Sequence, residues 1–167
     1  MSAEYNQHEA ILQQFRHVGD FRLIPRDAAP ERTTSCKITH DDWAVESCET
    51  HGVVFPDIKK DSAAAVYCWV VRDGGPKIRY VGKAGKGLHD RCKQHTRGFL
   101  ESKPGHKNLK HLREALQQGC SVELWMRKPA TVDLFGYDTS LHSSEEEALI
   151  AILAPAWNKA GRRQPQT

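Results

Sequence analysis

The hydrophobic positions between residues 65 and 99 predict two strands followed by a helix. Ala65 to Arg72 has apolar side chains on both faces and is rich in Val, Tyr and Trp, which is typical of a central strand covered on both sides. Gly74-Gly75 then tolerates the positive φ angles of a two-residue hairpin loop. The next strand therefore pairs with the first.

The predicted hairpin register brings two tyrosines together. A loop at Gly74-Gly75 places Tyr67 opposite Gly82 and Trp69 opposite Tyr80, so the two phenols are diagonal neighbours on one sheet face. Because Gly82 has no side chain, we expect the surface beside the phenols to be open.

The helix predicted from Gly87 to Leu100 has both apolar and polar residues on the face that points toward the core. The i, i+3, i+4, i+7 spacing aligns five residues on one face, namely Leu88, Arg91, Cys92, His95 and Phe99. A buried arginine or histidine requires a polar partner, and the two tyrosines are candidates. The alternative is that each side chain reaches the surface or that His95 is an ordinary core histidine.

The C-terminal half predicts further packing elements. Asn108 to Gln118 has leucines at helical spacing, with Gly119 as the stop, and Ser121 to Lys128 alternates as a third strand. Thr131 to Tyr137 is ambiguous.

An acidic helix is predicted from Glu145 to Leu153. Ser143 or Ser144 can cap it, with Glu146 or Glu147 completing a capping box. Since the helix is apolar almost all round, its periodicity does not decide which glutamate points inward.

The N-terminal third is less regular. We predict an amphipathic helix within Glu4 to His17 and an irregular extension from Gly19 to Asp61 with one or two small strands, at the apolar runs Phe21 to Ile24 and Val53 to Phe55. Four possible zinc ligands lie there: Cys36, His40, Cys48 and His51. Their spacing matches no common zinc finger, so we interpret them as incidental and keep zinc as the alternative.

Composition limits the function classes. A chain of 167 residues suffices for one domain with an added arm. It has no membrane-length apolar stretch and no secretion signal, and its five cysteines suit reduced thiols better than a disulfide framework. We therefore expect a cytoplasmic protein.

Positive charge is concentrated in one part of the chain. Residues 72–113 contain twelve Lys or Arg against three acidic residues, a net +9, whereas the whole chain carries +3 and the remainder therefore −6. Such a block is the footprint of phosphate contacts, and a solvated lysine face is the alternative. The candidate DNA-binding residues are Lys83, Lys86, Lys93, Arg97, Lys107 and Lys110.

Four blocks of the chain resemble the GIY-YIG nuclease superfamily. Ala65-Val66-Tyr67 and Tyr80-Val81-Gly82 are similar to the two halves of its signature, although Ala-Val replaces Gly-Ile. Arg91 matches the family arginine on the following helix, and His95 matches the histidine of compact restriction-type members.

The fourth block resembles the family's glutamate helix and closing motif. It runs from Glu146-Glu147-Ala148-Leu149-Ile150 through Pro155-Ala156-Trp157-Asn158. The resemblance selects Glu146 as the inward glutamate, and it covers residues 65–158.

This resemblance implies the fold and the domain organisation. We expect an α/β fold with a small central antiparallel β-sheet flanked by helices. Residues 1–61 would form an N-terminal extension, 62–160 the nuclease domain and 161–167 a loose basic tail.

The resemblance also implies a catalytic set, consisting of Tyr67, Tyr80, Arg91, His95, Glu146 and Asn158. Glu146 would hold one Mg²⁺ or Mn²⁺ per active site, and Arg91 would bind the scissile phosphate. Tyr67 would lie beside the attacking water, assisted by Tyr80 and His95, with Lys83 touching the phosphate or lowering a tyrosine pKa. Asn158 would brace the site.

The predicted function is a metal-dependent DNA endonuclease. It would act on double-stranded DNA, leave 5′-phosphate and 3′-hydroxyl ends and be sequence-specific like restriction enzymes, with a homodimer if the site is palindromic. The alternatives are a non-specific nuclease acting as a toxin, defence effector or mobile-element enzyme, and a non-catalytic nucleic-acid-binding module.

Overall fold

The computed structural model describes residues 3–25, 51–92, 95 and 103–158. The helices in these ranges are α1 (Ala3–Leu12), α2 (helical residues 88–92 and 95), α3 (Lys103–Gln117) and α4 (His142–Leu153). The strands are β1 (Arg16–Asp20), β2 (Arg22–Pro25), β3 (His51–Val54), β4 (Ala65–Arg72), β5 (Pro76–Ala84), β6 (Ser121–Arg127), β7 (Thr131–Leu134) and β8 (Tyr137–Ser140).

A four-stranded antiparallel sheet in the order β1-β6-β4-β5 forms the centre of the fold. All of β4 except its last residue is buried, as its two-sided apolar pattern predicts. One face packs against α2 and α3 through Leu88 and Leu112, and the other against α1 and α4 through Leu12 and Ile150. The predicted α/β class is therefore confirmed.

At the two tyrosines, the β4–β5 hairpin has the predicted register. The loop and the pairing between the loop and the tyrosines differ from the prediction. Tyr67 pairs with Gly82 and Trp69 with Tyr80, but Arg72 pairs with Pro76, so the loop has three residues. A one-residue bulge between these pairs, on β5, restores the expected alignment. Two departures from the predicted hairpin thus cancel.

The N-terminal segment differs from the single helix predicted to residue 17. Helix α1 ends at Leu12, and Arg16–Asp20 forms β1, which pairs with β6 at the outer edge of the main sheet. Phe21 also enters the main core. The small strands β2 and β3 overlap the two apolar runs noted in the sequence, β2 by three residues and β3 by two. The predicted division of the chain at residue 61 stays a prediction. The segment before residue 61 supplies β1, an edge strand of the main sheet.

The C-terminal elements largely follow the predicted pattern. Helix α3 ends at Gln117, two residues before Gly119, whose φ of +80° is left-handed. Strand β6 shows the alternating burial expected of a half-covered strand. The ambiguous region forms the β7–β8 hairpin, whose turn residues Phe135 and Gly136 both have positive φ. Phe135 is 99% exposed there.

Helix α4 begins earlier than predicted and without the predicted cap. Leu141 is the N-cap residue and makes no side-chain capping bond. Ser143 and Ser144 lie inside the helix, so the predicted capping box is wrong. No helix in the described ranges is long and apolar enough to span a membrane.

Candidate active site

The predicted site residues converge around β5, the edge strand of the sheet. Tyr67 and Tyr80 lie on the face covered by α2, with ring centroids 6.1 Å apart. Lys83 lies on the same face as Val66, toward α4. The site therefore draws on side chains from both faces of the sheet.

Tyr67 is the centre of a buried polar cluster. Its Oη is hydrogen bonded to His95 Nε2 at 2.5 Å and accepts a hydrogen bond from Arg91 Nε at 3.4 Å. Both rings are buried, Tyr67 completely. The arginine and histidine of the α2 stripe thus find the partner that their burial requires.

Burial determines the protonation of this cluster. It raises the pKa of Tyr67 well above its ordinary value, and the nearby Tyr80 adds to this effect while Arg91 opposes it. Burial likewise raises the pKa of Tyr80. It lowers the pKa of His95 to about 3, with Arg91 contributing. Both phenols and the imidazole are therefore neutral near pH 7, and the expected lowering of a tyrosine pKa is not observed.

Gly82 makes room for the phenols. A Cβ built at this position would lie 2.5 Å from Tyr67 Cζ and Oη and 2.9 Å from Tyr80 Cε1. Such distances are incompatible with a side chain unless the rings move. The surface beside the phenols is therefore not open as predicted, because the Tyr67 ring occupies the space that Gly82 leaves.

Glu146 is the buried glutamate of the acidic run. Its side chain is 8% exposed, and its Oε2 lies 3.1 Å from Lys83 Nζ. Glu145 instead accepts a hydrogen bond from the Ala130 N–H and pairs with Arg127, and Glu147 is exposed.

Lys83 joins Glu146 to the rest of the site. Its Nζ also donates a hydrogen bond to Ser143 Oγ at 3.1 Å. The negative charge of Glu146 acts on Tyr80 across the strand, which brings the carboxylate within electrostatic range of the phenol cluster. Lys83 makes no hydrogen bond to Tyr67 or Tyr80.

The side chain of Asn158 makes two hydrogen bonds to the backbone of Val81. Its Oδ1 accepts from the Val81 N–H at 2.9 Å, and its Nδ2 donates to the Val81 carbonyl at 2.8 Å. The neighbouring Trp157 N–H donates to the Arg79 carbonyl, and the Ile78 N–H donates to His8 Nδ1. These contacts cover the free edge of β5, the geometry expected of a bracing residue.

A cleft of about 250 Å³ opens beside this cluster. Its lining consists of Lys83, Ala84, Gly85, Lys86, Gly87, Asp90, Arg91 and His142. Three of these side chains are basic and one is a carboxylate, so the cleft suits an anion such as a phosphate.

Of the other predicted DNA-binding residues, Lys110 has a described side chain, and it does not line this cleft. Lys110 is exposed on α3, 3.9 Å from Glu114. Lys93, Arg97 and the side chain of Lys107 lie outside the described residues. The same holds for Cys36, His40, Cys48 and the side chain of His51, the possible zinc ligands.

His142 is a cleft residue that the sequence did not single out. It precedes Glu146 by four residues, so the two side chains share a helix face. This spacing is the feature of the sequence that could have indicated His142 as a site residue.

The donor set fits a hard cation held by a single carboxylate. In the described part of the chain, no group of three or more His, Cys, Asp or Glu side chains could hold a metal ion. Mg²⁺ commonly binds through one or two carboxylates together with water and substrate phosphate. Glu146 beside a cationic cleft meets that requirement, whereas an all-protein metal cage is not formed by the described residues.

The described elements place the chain among α/β proteins with a small antiparallel sheet between helices. Among solved structures, the chain is similar to a point mutant of bacteriophage T4 EndoII, with a TM-score of 0.55 and 16% identity over 91% of this chain and 98% of that chain. No family model and no curated protein matches the sequence. This likeness confirms the predicted α/β fold with a small antiparallel sheet flanked by helices.

Proposed function

We propose that the protein is a metal-dependent DNA endonuclease of the GIY-YIG type. The observation that carries this proposal is the position of buried Glu146, whose carboxylate pairs with a lysine that also lines a cationic cleft. The structural neighbour EndoII is an endonuclease, which agrees with this chemistry.

The cleft residues would bind the scissile phosphate. Arg91 lines the cleft and also contacts Tyr67, so a phosphate on its guanidinium would lie near the phenol cluster. Lys83 and Lys86 would neutralise further phosphate charge. This arrangement supports positioning and electrostatic stabilisation, the two main contributions to phosphoryl transfer.

Tyr67 would orient the attacking water. Its pKa is raised by burial and its hydroxyl is held by His95 and Arg91, so the neutral phenol is favoured over a phenolate base. When bound at Glu146, a divalent metal would supply positive charge and make water more acidic. His95, neutral with a pKa of about 3, would hold the phenol in place.

The proposal also covers the finer properties of the enzyme. We infer cleavage of double-stranded DNA to 5′-phosphate and 3′-hydroxyl ends, with sequence specificity and two-fold pairing of subunits on a palindromic site. A cytoplasmic location agrees with the three described cysteines, Cys68, Cys92 and Cys120, which are free thiols.

Cleavage of plasmid DNA by matched glutamate variants tests the proposal. We expect Glu146→Gln to abolish cleavage in Mg²⁺, and EDTA to abolish it in the wild type. Glu147→Gln is the control, because Glu147 is the next residue of the same helix and is exposed. DNA binding of both variants is measured alongside, so that lost catalysis is separated from lost binding.

The products decide between the alternatives. Discrete bands support a sequence-specific enzyme, whereas a metal-dependent smear supports a non-specific effector. Absence of cleavage with any divalent ion, combined with retained DNA binding, would contradict the proposal and leave a binding module.

A further inference from the structure

His142 faces the cleft with a defined ring orientation. Its Nδ1 is hydrogen bonded to Ser140 Oγ at 3.1 Å. Its Nε2 is directed at Gly85, where a built Cβ would lie 3.4 Å away, and Gly85 lines the cleft. Ser140 thus engages one ring nitrogen and leaves the other beside the proposed phosphate site.

The cleft has walls from opposite sides of the sheet. Arg91 comes from α2, which packs on the face that carries Tyr67, whereas His142 comes from α4, which packs on the other face. A phosphate in the cleft would therefore have the Tyr67 cluster on one side and His142 on the other. In phosphoryl transfer, the attacking and leaving oxygens lie roughly in line on opposite sides of phosphorus.

None of the predicted catalytic residues is assigned to donate a proton to the leaving oxygen. Arg91 stays protonated at any working pH, and Lys83 is engaged with Glu146 and Ser143. Histidine is the side chain that most often transfers protons in enzymes. The charged neighbours of His142 in the cleft are Lys83, Lys86, Arg91 and Asp90.

We propose that His142 is the general acid that protonates the leaving 3′-oxygen, an inference that rests on the proposed function. The water oxygen forms a bond to phosphorus as the bond from phosphorus to the 3′-oxygen breaks. The Nε2–H proton of the imidazolium passes to the 3′-oxygen, giving the 3′-hydroxyl and a neutral imidazole. The proton of the attacking water passes to a second water molecule and so to bulk solvent, and solvent then reprotonates His142.

A sulfur-substituted substrate tests this assignment. The cleavage position is first mapped on ordinary DNA, and two duplexes are then made, one with oxygen and one with sulfur as the bridging 3′ atom at that link. A thiolate leaves without prior protonation. We expect His142→Gln to slow cleavage of the oxygen duplex by about 10²-fold or more and to leave the sulfur duplex close to the wild-type rate.

The controls separate this inference from the proposed function. His142→Ala is measured beside His142→Gln, which keeps side-chain bulk, and circular dichroism reports folding of both. His17→Gln should change neither rate, because His17 is exposed on β1 at the opposite edge of the sheet. Equal losses on both duplexes, or no loss on the oxygen duplex, would overturn the general-acid role. A wild type that cuts neither duplex would instead refute the nuclease proposal.

Discussion

Tyr67 Oη and His95 Nε2 lie 2.5 Å apart in the protein interior. The histidine contributes a neutral polar group to a phenol that is fully buried, and its ring stacks on Phe55 at an interplanar angle of 12°. Burial, and after it Arg91, keeps the imidazole uncharged, with a pKa of about 3.

The low pKa of His95 predicts a pH-dependent contribution to stability. In the unfolded chain, His95 gains a proton as pH falls through about 6.5, whereas the folded protein keeps it neutral until about 3. The unfolded state binds more protons in this window, so the free energy of unfolding falls as pH is lowered through it, by at most about 1.4 kcal/mol per pH unit from this group.

Urea unfolding of wild type and His95→Gln across this window measures the effect. Glutamine does not titrate, so we expect the stability advantage of the wild type over the variant to shrink as pH falls. The carboxylates titrate equally in both proteins and cancel. A stability difference that is constant with pH would contradict the neutral state of His95.

Gly82→Ala should move the phenol cluster. Its Cβ would contact Tyr67 at 2.5 Å, and we expect a stability loss of about 1–3 kcal/mol together with loss of cleavage. Gly75→Ala is the matched control in the same hairpin, since its Cβ would meet the ring of Tyr5, 2.8 Å away and remote from the site. If Gly82→Ala cuts as well as Gly75→Ala, the close packing of Gly82 against Tyr67 is irrelevant to activity.

Lys83→Met should separate metal affinity from catalysis. The lysine ammonium and a divalent ion would compete for the same Glu146 oxygen, so its removal is expected to tighten Mn²⁺ binding, measured by calorimetry, while cleavage decreases. Lys110→Met serves as the control because Lys110 is exposed on α3. Unchanged or weaker Mn²⁺ binding by Lys83→Met would argue against competition at Glu146.

Asn158→Asp tests whether this residue braces the edge strand. An aspartate still accepts from the Val81 N–H but no longer donates to its carbonyl, so we expect a loss of about 1–3 kcal/mol in denaturant unfolding. Cleavage should fall through displacement of β5. Full stability with lost activity would instead indicate a direct role in the reaction.

The sequence predicted the tyrosine pair more reliably than the hairpin that presents it. The strand pattern of Ala65–Arg72 and the turn glycines specified antiparallel pairing. They did not reveal the three-residue loop or the bulge on β5, because a bulge depends on how β5 twists against its neighbours. Similarly, the apolar spacing predicted a helix within Glu4 to His17, whereas pairing with β6 made Arg16–Asp20 a strand.

What the sequence by itself determined is the order β4, β5, α2, α3, β6 and α4 and the residue types of the tyrosine and glutamate clusters, since strand alternation, helical spacing and turn glycines are local properties of the chain. Tertiary structure alone decided that Glu146 pairs with Lys83, that His142 faces the cleft, and that burial keeps the phenols and His95 neutral. These properties arise where α2 and α4 approach one strand from opposite faces, a non-local arrangement that sets both the distances between charges and their exclusion from water.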